Sequence, residues 1–127
     1  MEANRKIRVK NSQVLADQSE NTETASYQGN YYFKNGKHYL LYRDAFGKSM
    51  IVMEEAYAKV VRGGESKNSL EFTLGERVKM PYQTPYGTFE METYTRSLEA
   101  KDGRFFIEYE LFLDGISHAN CRIEIIF

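Results

Sequence analysis

The sequence predicts an all-β protein: a single antiparallel up-and-down barrel of about eight to ten strands, one domain over residues 1–127. Three observations predict it. Apolar residues recur with a period of two in short runs along most of the chain. These runs are separated by Gly-containing turns, among them Asn35-Gly36, Asp102-Gly103 and Asp114-Gly115, dipeptides suited to the positive φ of tight hairpins. No amphipathic run exceeds about two helical turns, so no helix competes. A barrel is preferred to a sandwich because hairpin follows hairpin and closure removes sheet edges.

Residues 5–16 read as the first strand, with Ile7, Val9 and Leu15 on one face. Residues 17–26 are polar and lack alternation, so they read as a mobile connection. Residues 27–33 and 37–42 flank Asn35-Gly36; pairing Lys34 with Lys37 sets Tyr31 opposite Leu40 and Gly29 opposite Tyr42. A glycine there means a ring lying over bare backbone, or a bend in the strand. Residues 50–53 are a short apolar strand followed by a turn at Glu54-Glu55, and residues 56–62 form the next strand, ending at Gly63-Gly64. Leu70, Phe72 and Leu74 alternate before Gly75, and Val78, Met80 and Tyr82 alternate before Thr84-Pro85-Tyr86-Gly87. Pro85 has no N–H and belongs at a strand break or edge. Residues 116–127 close the chain.

The strongest strand holds Phe105, Ile107, Tyr109, Leu111 and Leu113 on one face. Parity sets its pairing. A two-residue turn at Asp102-Gly103 would set Tyr109 opposite Arg96, and the apolar faces would disagree. A three-residue loop, Lys101-Asp102-Gly103, sets Tyr109 opposite Thr95 and is therefore expected. The last hairpin poses the same choice. A two-residue turn at Asp114-Gly115 places His118, Asn120 and Arg122 inside. A three-residue loop, Leu113-Asp114-Gly115, sets Ile107 opposite Cys121 and turns Cys121, Ile123 and Ile125 inward. A slip of one residue exchanges the faces, and burying His118 and Arg122 unpaired would cost several kcal/mol. Cys121 inside and Arg122 outside is the expectation.

Composition excludes several classes. A formal net charge of -1 gives no global field for nucleic acid or an anionic membrane, so neither partner is expected. Lys34, Lys37, Tyr32, Tyr39 and Arg43 read as a solvated face. The single Cys121 fits a reducing compartment, and the first residues carry no apolar leader, which makes a cytoplasmic location the expectation. His118 and Cys121 lack a second pair of ligands, so no metal or cofactor is expected. Glu90 with Glu92, and Glu108 with Glu110, read as outer-face ion-pair partners rather than acid/base pairs. No nucleophile elbow or phosphate loop is present, and an enzyme ranks below a binding protein.

Arg62, Gly64, Phe72, the run Tyr82-Gln83-Thr84-Pro85-Tyr86-Gly87, Thr95 and Tyr109-Glu110-Leu111 carry a resemblance, as do Gly29 and Tyr39-Leu40-Leu41-Tyr42. In these residues the chain resembles the YwiB-like family, small bacterial proteins of unknown function. The resemblance covers nearly the whole chain and implies a calycin-like, lipocalin-related barrel; it leaves function open. Two departures stand out. Val52 occupies a strand position where many members carry Lys, and Arg43 precedes Asp44 where acidic residues often follow the Tyr-Leu-x-Tyr strand. If those charges line a site in relatives, that site is altered here.

An eight-stranded barrel is wide enough to be filled by side chains or to hold one small ligand. Tyr27, Tyr31, Tyr42, Tyr82 and Tyr109 supply apolar walls with polar tips. Arg62 or Arg43, if turned inward, would anchor a carboxylate or phosphate. The candidate ligand contacts are Tyr31, Tyr42, Arg62, Tyr82, Thr84 and Tyr109. Two functions stay open. One is binding of a small, partly apolar ligand. The other is a packed barrel that serves as an interaction module, pairing as a homodimer or with another protein through Phe106, Phe112 and Tyr94.

The Thr-Pro-Tyr-Gly run should reverse the chain with Gly87 in a conformation that a side chain strains. Gly87→Val is expected to destabilise by about 1–3 kcal/mol. Denaturant melts coincident with wild type would remove Gly87 from this role.

Overall fold

The structure, a computed structural model, describes residues 3–44, 47–62 and 69–127, with side chains from Arg5 onward and without that of Arg62. Ten strands follow one another: β1 Ala3–Leu15, β2 Glu20–Lys34, β3 Lys37–Asp44, β4 Gly47–Met53, β5 Tyr57–Arg62, β6 Ser69–Thr73, β7 Arg77–Thr84, β8 Gly87–Lys101, β9 Arg104–Leu113 and β10 Ile116–Ile126. They form one antiparallel sheet in the order β6-β5-β4-β3-β2-β1-β10-β9-β8-β7, curled into a nearly closed barrel. Every ladder joins sequence neighbours except the one between β1 and β10.

Alternation selects the lining. Ile7, Leu40, Ile51, Met53, Ala58, Phe72, Phe105, Ile107 and Ile125 are buried on the inner face. The Asn35-Gly36 turn has φ of 53° and 76°, as a type I′ hairpin requires, and pairs Lys34 with Lys37. Gly29 lies opposite Tyr42, as expected. A Cβ there would collide with the Leu41 carbonyl oxygen and sit 2.6 Å from Ile7 Cδ1. The bare backbone is what lets the Tyr42 strand pass so closely.

Three expectations are corrected. Residues 20–26 are not a mobile connection but the first half of β2, paired with β1 from Ser26 opposite Arg8 to Glu20 opposite Val14. Their inner positions face a barrel mouth rather than a core, so apolar alternation is absent. Both three-residue loops are also corrected. Lys101 pairs with Arg104 across a two-residue turn, and Leu113 pairs with Ile116 across Asp114-Gly115, with φ of 50° and 81°. The extra residue sits instead in a bulge, at Arg96 in β8 and at His118 in β10. Each bulge shifts the phase by one residue. Tyr109 therefore does face Thr95, and Cys121 does point inward while Arg122 stays exposed. The partner of Cys121 is Tyr109 rather than Ile107.

The two edge strands, β6 and β7, share no ladder. Closure comes from β6 and the residues after it reaching β8. Thr93 Oγ1 donates to the Glu71 carbonyl at 2.7 Å, Gly75 N donates to the Thr95 carbonyl at 2.8 Å, and Leu74 bridges Thr95 in parallel. Glu71 is braced from the other side, because the Tyr57 hydroxyl donates to its carboxylate at 2.7 Å. Burial and this bond push the Tyr57 phenol up to about 12, so it remains a donor through the neutral range. Pro81 pairs with Glu90 in the edge strand β7, a position that tolerates its missing N–H.

Thr93 and Thr95 are both fully buried, yet only Thr93 uses its hydroxyl; Thr95 Oγ1 has no partner. Thr93→Val strands the Glu71 carbonyl and is expected to cost about 1–2 kcal/mol in denaturant melts. Thr95→Val removes an unsatisfied hydroxyl and should leave stability within about 0.5 kcal/mol of wild type, or raise it. Equal losses for both variants would show that the hydroxyl bond does not hold the seam.

Candidate functional site: a cavity in the barrel

One end of the barrel is plugged. The Phe127 ring packs against Tyr31 and Phe105, with centroids 4.9 Å and 4.8 Å away, and its N–H donates to the Gly103 carbonyl. His38 lies 5.5 Å from Phe105 in an edge-on contact and shares a 2.8 Å hydrogen bond with the Tyr31 hydroxyl through Nδ1. Burial lowers the His38 pKa, which keeps the ring neutral in the plug. The Arg5 guanidinium lies over Tyr31, 5.1 Å from the ring centroid.

Beyond this plug the interior is not filled. A cavity of about 820 Å³ is walled by Ile51, Val60, Leu70, Tyr109, Ile123 and Ile125, and reaches Asn11, Gln13, Glu23, Asp44, Tyr82 and Leu113. The second group lies towards the strand ends opposite the plug, so the cavity opens there. Tyr42 also lines it and stacks on Tyr27 with centroids 4.8 Å apart. Asp44 accepts from the buried Ser49 hydroxyl at 3.3 Å. The β7–β8 hairpin runs past the end of β9, since β9 pairs with β8 only from Met91 onward. Its tip, with Tyr82 opposite Phe89, stands over the mouth.

The candidate contacts divide. Tyr42, Tyr82 and Tyr109 line the cavity. Tyr31 is turned the same way but belongs to the plug. Thr84 serves the hairpin tip, where its Oγ1 donates to the Gly87 carbonyl at 2.9 Å and accepts from Tyr86 N. Arg62 pairs with Ser49 in the ladder, and its side chain lies outside the described residues. Arg43 is exposed, in the outward phase of β3, and anchors nothing inside. Asn11, Gln13 and Glu23 were missed. The signal was available, because positions 11 and 13 continue the phase of Ile7 and Val9.

A family model, described as a domain of unknown function (DUF1934), matches residues 7–125. The chain belongs to this family. It is 29% identical over 91 residues to the "Uncharacterized beta-barrel protein YwiB" of Bacillus subtilis (strain 168), a match covering 65% of this chain and 64% of that relative. The match thus spans less than two thirds of the relative's length. The crystal structure of the ywiB protein from Bacillus subtilis superposes with a TM-score of 0.75 at 23% identity, covering 98% of this chain and 92% of that one. That likeness establishes the shared barrel fold.

On the outer face of this family member the acidic pairs meet arginines across strands. Arg96 reaches Glu110 at 2.8 Å and Asn120 at 2.7 Å, Arg122 reaches Glu108 at 3.0 Å, and Arg104 reaches Glu124 at 2.7 Å. Glu92 departs from a solvated reading: it is buried and paired with Arg77. The Arg77 guanidinium also covers Phe112, 4.1 Å from its centroid, while Arg104 and Arg122 lie over Phe106.

Cys121 is buried against the cavity, and burial pushes its thiol up despite a hydrogen bond from Tyr109. A raised thiol pKa means less thiolate, the form that reacts. DTNB is expected to label the native protein slowly and the unfolded protein at once. Immediate labelling of the native protein would contradict the inward placement.

Proposed function

We propose that the protein binds a small, partly apolar molecule inside the barrel. The observation that carries this reading is the unfilled interior of about 820 Å³, walled by Tyr42, Tyr109 and aliphatic side chains. Ligand sites commonly enclose about 300–1,000 Å³. A barrel with no occupant gains stability by filling such a space with larger side chains, since voids forfeit contacts along their walls. The plug supports the same reading, because it closes one end and leaves the cavity open towards the other, where Tyr82 of the β7–β8 hairpin lines it. Native mass spectrometry of gently purified protein is expected to show an adduct, or the protein is expected to take up an apolar dye. Leu70→Trp, which fills the space, should weaken dye binding by about tenfold or more. A bare mass with no dye uptake would reject the reading.

A second reading rests on the mouth rather than on the outer aromatics. Tyr86 is 95% exposed, Ile116 73% and Phe89 42%, all at hairpins on the open end. Exposed apolar tips of this kind suit pairing of two copies. A monomer by light scattering at high concentration would remove this reading.

A further inference from the structure

The cavity wall changes character along its length, in the same direction on four neighbouring strands. On the inner face of β1, Ile7 and Val9 are buried, and Asn11 and Gln13 follow them, with Leu15 at the strand end. The ladder sets Asn11 between Ile123 and Glu23, and Gln13 between Cys121 and Asn21. Ile123 and Cys121 are buried inner-face residues, so both carboxamides lie on inward rows. On β2 the inner row runs from Tyr27 through Ala25 to Glu23, away from the plug. β3 runs from Leu40 through Tyr42 to Asp44, and β4 from Ile51 to Ser49. The opposite wall does not change, because Tyr109, Leu111 and Leu113 carry β9 towards the mouth as an apolar row.

The two ends suit different parts of a ligand. Beside the plug the inner positions are Leu40, Ile51, Ala58 and Ile125, all buried and apolar, and His38 Nδ1 and the Tyr31 hydroxyl are bonded to each other. A polar group at that depth loses water without gaining a partner, whereas an apolar chain gains by leaving water. Towards the mouth, Asn11 and Gln13 are half-buried and line the cavity, and neither side chain has a hydrogen-bond partner among the described residues. Polar groups drawn out of bulk water ordinarily find one. Carboxamides donate as well as accept. Acidic and basic side chains both border the cavity, Glu23 and Asp44 with His118 and Arg122. The seat is therefore defined by hydrogen bonding and depth, not by the sign of a charge.

Resting on the ligand-binding reading above, we propose that the ligand is an amphiphile held apolar end first: its chain lies against Ile51, Val60, Ile123 and Ile125, and its hydrogen-bonding head stays towards the mouth on Asn11 and Gln13. The polarity of the wall, unchanged on one side and graded on the other, fixes the direction in which such a molecule enters.

The test uses three probes of equal chain length and different heads: decanol, decylamine and decanoate, each below its micelle concentration. Displacement of Nile red, a neutral apolar dye, shows which of them enter. Isotope-filtered NOE spectra of the labelled wild-type protein then read the pose of each bound probe. The terminal methyl is expected to contact the methyls of Ile51 and Ile125, and the methylene next to the head to contact the side-chain amides of Asn11 and Gln13. The double variant Asn11→Leu, Gln13→Leu is expected to bind the head-bearing probes about fivefold or more weakly while taking up the dye within about twofold of wild type. Should that variant fail to fold, the wild-type spectra decide alone. A terminal methyl at Asn11 and Gln13, or contacts with no preference for either end, overturns the assigned direction and leaves the cavity reading standing. Dye uptake with no probe displacing it overturns the amphiphile in the same way. Dye that never binds, with no probe retained in native mass spectra, overturns both.

Discussion

The Thr93 hydroxyl bonded to the Glu71 carbonyl is the contact on which the enclosure depends. β6 and β7 are consecutive in the chain yet share no ladder, so no run of backbone bonds draws the sheet shut. A side chain on the inner face of β8 takes that part. Behind it the Phe72 ring of β6 packs on the Tyr109 ring of β9, centroids 4.6 Å apart, and outside it Tyr57 grips the Glu71 carboxylate. Each of these contacts is local and modest. Together they separate a cavity from a cleft, because the apolar wall formed by Val60, Leu70 and Tyr109 spans the seam.

Which side chains face inward was legible in the sequence, and how the chain keeps them there was not. Burial of Tyr109, Cys121, Ile123 and Ile125 governs the phase of the last three strands. In the Asp102-Gly103 hairpin a three-residue loop and a two-residue turn with a bulge in β8 give the same pairing. In the Asp114-Gly115 hairpin the loop and the bulged alternative turn the same faces inward with partners two residues apart, and Asp-Gly suits both. The choice is made away from the turn. At the first bulge Arg96 stands outside, where it meets Glu110 on β9 and Asn120 on β10 at once. At the second, His118 takes up the extra residue, so the chain returns to phase at Ala119 opposite Leu111. Such three-strand contacts involve residues far apart in sequence, and no local pattern announces them.

The candidate site divides in the same way. Tyr42, Tyr82 and Tyr109 follow from alternation alone. Tyr31 has the same phase but ends in the plug, because Phe127 and His38 converge on it from other strands. Asn11 and Gln13 keep the phase of Ile7 and Val9 and were legible, whereas Glu23 was hidden for the opposite reason. Polar residues in sequence read as solvent-facing or as loop, so a polar inner wall is mistaken for the absence of a strand, as happened for residues 20–26.

The β1–β10 ladder has a consequence for how the molecule forms. It joins two meanders, β1 to β6 and β7 to β10, whose internal pairings are all between sequence neighbours. Each meander is a set of hairpins that closes short loops and forms quickly. Uniting them requires Arg8 to find Ile126 and Leu15 to find Ala119 across most of the chain, and the loop entropy of that encounter is lost before the ladder repays it. That encounter is the pairing of greatest separation in the chain, and the interior is complete only once the two halves have met.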